Sequence, residues 1–131
     1  MFRTFKQWLA ALVLVLTGVP AAQAENFNPH GIWEPPGKEA RYRVTLCGDG
    51  SQLCALVVYI RPDQQTERNK KYIGTYLFEK LPRTGPNRWR GQVTLEDTTI
   101  NGTVEMVGRN ELKVTGCVLL VLCDNLVMTR R

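Results

Sequence analysis

The chain has 131 residues, 44% hydrophobic and 22% charged, with 17 basic and 12 acidic side chains and a formal net charge of +5. That is the material of one domain, too short for two independent cores and too apolar for a disordered chain. One histidine, His30, and one serine, Ser51, leave no histidine set for a metal centre and a single pair for a Ser–His hydrolase, so neither a metal nor a cofactor is expected.

Residues 1–24 read as an export signal. Arg3 and Lys6 form a positive start, Trp8 to Val19 is an apolar run, Pro20 breaks it, and Ala22-Gln23-Ala24 fits a small-x-small cleavage site. The run is short of the roughly 20 residues of a membrane span, and no cysteine follows it to carry a lipid, so no stable membrane anchor is expected. Cleavage after Ala24 leaves residues 25–131 as one domain with 15 basic and 12 acidic side chains, a net charge of +3. That balance and a periplasmic or secreted location argue against a nucleic-acid partner.

The mature part reads almost wholly in period two. Ile32-Trp33-Glu34 opens it. In Ala40 to Leu46, the alternate residues Ala40, Tyr42, Val44 and Leu46 oppose Arg41, Arg43 and Thr45. Leu53 to Ile60 is apolar throughout, and Tyr72 to Leu81 is a further strand. Trp89, Gly91, Val93 and Leu95 alternate with Arg88, Arg90, Gln92 and Thr94. Ile100, Gly102, Val104 and Met106 alternate with Thr99, Asn101, Thr103 and Glu105. Leu112 and Val114 oppose Lys113 and Thr115, and Leu126 to Thr129 closes the series.

Turn chemistry separates these runs at Pro35-Pro36-Gly37, Gly48-Asp49-Gly50, Pro82 to Asn87 and Gly108-Arg109-Asn110. Arg61 to Lys71 reads as a mobile polar loop. Asn101-Gly102 is a hairpin signal inside an unbroken alternation. A turn at Glu96-Asp97-Thr98 is preferred, because it leaves two strands of workable length. About eight sequential strands without helices predict an all-β, antiparallel meander closing into a small barrel, with an open or sandwiched sheet as the alternative.

Four cysteines allow three pairings. An oxidising compartment favours disulfides over metal. Cys47 and Cys54 flank a Gly-Asp-Gly-Ser turn, so a bridge there staples a hairpin. Cys117 and Cys123 flank Val-Leu-Leu-Val-Leu, and their pairing rests on proximity alone.

Gly31-Ile32-Trp33, the Cys47–Cys54 hairpin with the apolar strand after it, and Leu112-Lys113-Val114-Thr115-Gly116-Cys117 followed by Cys123 and Met128-Thr129-Arg130 resemble a bacterial exported family catalogued as domain of unknown function 2147. The likeness spans essentially the whole mature chain. The family's usual Tyr-Asp-Pro-x-x-Gly segment is replaced here by Leu95-Glu96-Asp97-Thr98-Thr99-Ile100, and its Trp before the final Thr-Arg by Met128. The Gly-x-Trp opening and terminal Arg are similar to lipocalin-like barrels. The resemblance therefore implies a barrel closed by Gly31, Trp33 and Arg130, with the indole near the guanidinium. It implies no activity.

Candidate sites follow from residue type. Tyr42, Trp89 and Met106 lie on apolar strand faces, as packed core or as the lining of a ligand cavity. Arg68, Lys70 and Lys71 form either a solvated positive face or an anion-binding loop. Glu96-Asp97 reads as a solvated turn, with an acid pair or a calcium ligand as the alternative, and Ser51 with His30 lacks any nucleophile-elbow context. The expectation is a non-enzymatic barrel binding a small apolar or anionic envelope ligand. The alternative is a protein-interaction module, such as an inhibitor of an envelope-attacking enzyme. Neither reading fixes an oligomeric state.

Overall fold

The computed structural model describes residues 25–95, 98–118 and 122–131. The proposed signal segment and the Glu96-Asp97 pair lie outside the described residues.

The strands are β1 (Gly31–Glu34), β2 (Ala40–Cys47), β3 (Gln52–Ile60), β4 (Tyr76–Leu81), β5 (Arg83–Gly85), β6 (Arg88–Leu95), β7 (Thr98–Gly108), β8 (Glu111–Val118) and β9 (Leu122–Arg130). All pair antiparallel in one sheet, in the order β4-β3-β2-β1-β9-β8-β7-β6-β5. Every neighbour is sequential except the closing pair β1 and β9, joined through Trp33↔Arg130 and Glu34↔Thr129. The two ends of the order, β4 and β5, are consecutive in the chain and separated only by Pro82. Arg90 N donates to the Pro82 carbonyl (3.0 Å) across the remaining seam. The result is a nearly closed up-and-down barrel, in which sequential hairpins leave little free edge.

Nine strands appear where about eight were expected, because the presumed turn from Pro82 to Asn87 holds the short strand β5. Proline has no N–H to give the ladder, and β4 and β5 meet there as two halves of a bent strand. Two further corrections fall in the long connection. Arg61 to Lys71 is not without helix: a 3₁₀ turn at Pro62–Gln64 leads into one helical turn, α1 (Glu67–Lys70). Thr66 caps α1 by accepting from Asn69 N. The fourth strand begins at Tyr76, not Tyr72, since the Thr75 hydroxyl and amide both donate to the Tyr72 carbonyl and hold 72–75 as a turn.

The Asn101-Gly102 signal has another use. β6 and β7 pair without interruption from Arg88↔Glu105 to Leu95↔Thr98, so the reversal falls between Leu95 and Thr98. Gly91, Gly102 and Gly116 stand directly opposite one another across β6, β7 and β8. A Cβ on Gly91 would lie 2.8 Å from Leu81 Cδ2, one on Gly116 2.6 Å from Ile100 Cδ1, and one on Gly102 would overlap Val93 Cγ2. The row omits three side chains so that the sheet can curl over its larger neighbours, a recognised use of glycine in barrels.

The core lies inside this curl. Trp33, Val44, Leu53, Ala55, Phe78, Leu81, Trp89, Val93, Val104, Met106, Leu112 and Met128 are buried together. Those on β2, β6, β7 and β8 are the inward residues of the alternation, which is why the sheet must close to remove them from water. Residues 25–30 seal the end nearest the tryptophans. Phe27 N donates to Asn87 Oδ1 (2.9 Å), and Asn87 Nδ2 returns to the Glu25 carbonyl (2.6 Å).

Candidate ligand-binding site

The two disulfides are Cys47–Cys54 and Cys117–Cys123, so all four cysteines are paired. The first closes the β2–β3 hairpin, and the second links directly opposed residues of β8 and β9. Their oxidised state points to an extracytoplasmic compartment.

At the closed end, Trp33 is fully buried and its Nε1 donates to the Pro29 carbonyl (2.9 Å). The Arg130 guanidinium stands 4.4 Å over its ring. Arg130 Nη1 donates to the His30 carbonyl, and Nη2 to those of Asn28 and Arg109, at 2.6, 2.6 and 3.0 Å. Gly31, at φ +150, has no room for a Cβ, which would come 2.7 Å from Arg130 Nη1. One guanidinium thus ties the last strand, the sealing segment and the β7–β8 turn around the first-strand tryptophan.

The same end accounts for other candidates. Trp89 and Met106 do not line open space. Both are core residues, and Trp89 Nε1 donates to the Ser51 carbonyl (2.8 Å). The Ser51 hydroxyl donates to Asp49 Oδ1 (2.6 Å), and this bond, with that from the Ser51 amide, holds the Asp49 carboxyl below its ordinary 3.8. Ser51 is a turn former. His30 belongs to the sealing segment, where its carbonyl serves Arg130.

Among the described residues, the opposite end is not filled. Two adjoining half-open clefts occupy it, and Tyr42 and Leu77 stand in the walls of both. One, of about 630 Å³, is lined chiefly by inward residues of the sheet: Val93, Ile100, Val114, Gly116 and Leu126, with Val118 and Leu122 at its rim. The other, of about 520 Å³, is walled by Val57 and Ile60 and by the 61–75 connection, which contributes Gln64, Asn69, Tyr72 and Thr75; Glu39 stands at its edge. Volumes of this size are usual for small-molecule sites, at roughly 300–1,000 Å³.

The polarity of the two clefts differs. The larger has an apolar wall with one carboxylate, Asp124, near the mouth. The smaller has Glu39 and Tyr72 in its wall, and the Tyr72 hydroxyl is buried without a hydrogen-bond partner among the described residues. A buried hydroxyl left unpaired is unfavourable by about 1–3 kcal/mol. Burial first, and the Glu39 charge second, push the Tyr42 phenol above its ordinary 10.0.

Among the described residues, no lysine or arginine lines either cleft. Arg68, Lys70 and Lys71 lie at and just after α1 on the outer side of the long connection. Lys70 pairs with Glu67 (3.7 Å), and Lys71 Nζ stands 5.3 Å from the Tyr72 ring. Of the three aromatic or sulfur candidates, only Tyr42 reaches the open volume.

A family model described as an uncharacterized protein conserved in bacteria, DUF2147, matches residues 31–130. The chain belongs to this family. In DUF2147 terms the match begins at the first residue of β1 and ends at the last of β9, so it covers the whole barrel and both clefts. No curated protein and no solved structure matches the chain.

The alternation already turned Val93 and Val114 inward. Glu39, Gln64, Asn69, Tyr72 and Thr75 were not foreseen, because they come from connections whose path depends on where the barrel mouth lies. One local signal was available: Tyr72 and Tyr76 are aromatic residues at the end of a polar stretch otherwise free of them.

Proposed function

We propose that this is a non-enzymatic binding protein of the periplasm or extracellular space that holds a small apolar molecule in the open end of the barrel. The observation that carries the reading is the asymmetry of the interior. One end is packed around Trp33, Trp89, Met106 and Met128, while the other leaves Ile100 and Leu126 only partly buried in the wall of a cleft of about 630 Å³, with the exposed Val118 and Leu122 at its rim. Apolar surface kept open to water is unfavourable unless something covers it. Of the two ligand classes expected from sequence, apolar and anionic, the apolar one fits. The charged residues of the cleft walls among the described residues, Glu39 and Asp124, are both acidic.

The test is titration of the mature, disulfide-intact protein with the apolar fluorescent probe N-phenylnaphthylamine, together with native mass spectrometry of protein purified from its host. Saturable binding of one probe per chain is expected, and Ile100→Trp, which fills the cleft, should abolish it while leaving the melting temperature near that of the parent. Absence of saturable binding together with no retained mass would overturn the reading.

The protein-interaction alternative draws on the Thr66-capped connection with Arg68, Lys70 and Lys71 on its outer side. Changing these three to Gln should leave probe binding intact. If they hold an anionic partner protein, the same variant should lose that partner and the salt dependence of its capture.

A further inference from the structure

Resting on that reading, we propose that the ligand is an amphiphile. Its apolar chain lies in the cleft walled by Val93, Ile100 and Leu126. Its polar head, uncharged or cationic and bearing O–H or N–H donors, lies in the adjoining cleft beside Glu39 and Tyr72. Tyr42 and Leu77 stand in the walls of both clefts, so the two lie side by side, within the span of a molecule of modest length. The contrast between them is chemical. The sheet supplies almost only aliphatic wall to the first, whereas the 61–75 connection brings amide and hydroxyl groups to the second.

Three features define the head. The Glu39 carboxylate is an acceptor only when ionised, so it takes hydrogen bonds from donor groups and opposes a second negative charge. The Tyr72 hydroxyl is buried with no hydrogen-bond partner among the described residues, and a head with hydroxyl or ammonium groups gives it one. Tyr42, Tyr72 and Tyr76 all border this cleft, and their rings suit sugar faces or a cation. A carboxylate or phosphate head finds no lysine or arginine among the described residues of the wall. Fatty acids and phosphate-headed lipids are therefore the disfavoured members of the amphiphile class.

The experiment compares three ligands of equal chain length, decyl β-glucoside, decylammonium and decanoate, below their micelle concentrations near neutral pH, by displacement of N-phenylnaphthylamine. The glucoside and the ammonium should each displace the probe at concentrations about tenfold or more below decanoate. Glu39→Gln should weaken the ammonium most and narrow its advantage over decanoate. Tyr72→Phe should weaken the glucoside and leave decanoate unchanged. Circular dichroism of both variants checks that they fold, and the comparison of ligands on the parent chain stands without them. Decanoate binding as tightly as the other two, or an ammonium–decanoate gap unaltered by Glu39→Gln in a folded variant, would overturn the head-group assignment while leaving the apolar site in place. Failure of the probe itself to bind would overturn both.

Discussion

Trp33 and Arg130 are nearly a hundred residues apart and meet only if the sheet closes, so their energetics report on the barrel itself. The indole is fully buried, donates to the Pro29 carbonyl and carries the guanidinium on its face. Trp33→Ala removes the transfer energy of the ring and leaves a cavity, together about 3–5 kcal/mol in a packed site. Arg130→Lys retains a charge, but one ammonium cannot span the carbonyls of Asn28, His30 and Arg109 and also stack on the ring. The expected loss is about 1–2 kcal/mol, smaller than for Trp33→Ala but above that of an ordinary surface change. A double-mutant cycle between the two should give a coupling of about 0.5–2 kcal/mol. Equilibrium denaturation followed by far-UV ellipticity, with both disulfides oxidised, measures all three values. A loss under about 1 kcal/mol for Trp33→Ala, or a larger loss for Arg130→Lys than for Trp33→Ala, would refute the closure argument.

Non-reducing peptide mapping should recover the 47–54 and 117–123 links, and a 47–117 link would contradict the fold. Replacing Cys117 and Cys123 together with Ala should lower stability by about 2–2.5 kcal/mol, the loop entropy of so short a ring. Gly102→Ala should destabilise by about 1–3 kcal/mol through overlap with Val93. Gly102→Ala combined with Val93→Ala should lose less than the sum of the two single losses, and simple additivity would show that the glycine row is not kept for packing. The Tyr42 phenol is held above 10.0 in the folded chain, so the folded state binds its proton more tightly than the unfolded one does. That contribution to stability is complete below pH 10.0 and is lost as pH rises through the raised value. Alkaline unfolding of Tyr42→Phe should show a shallower pH dependence than the parent, and an unchanged slope would remove Tyr42 as the cause.

The strand faces were legible in the sequence because period-two burial is a local property. Val44, Val93, Val104, Leu112 and Val114 turn inward as the alternation required. The Cys47–Cys54 bridge was legible for the same reason, since a Gly-Asp-Gly-Ser turn brings its neighbours together whatever the rest of the chain does. Closure was legible from the strand count, but the residues that make it were legible only through the Gly-x-Trp and terminal Arg resemblance, because pairing of β1 with β9 is non-local. Tertiary structure alone decided the remainder. Pro82 became the bend between β4 and β5, and Asn101-Gly102 became part of a sheet-curling row, because both depend on which strands face each other across the barrel. Above all, the sequence placed Tyr42, Trp89 and Met106 in one class of inward aromatic or sulfur residues, while closure put Trp89 and Met106 in the packed end and left Tyr42 at the open one. Whether an inward side chain fills space or borders it is set by the separation of the walls opposite. That separation follows from strand tilt and curvature, which no single strand's pattern records.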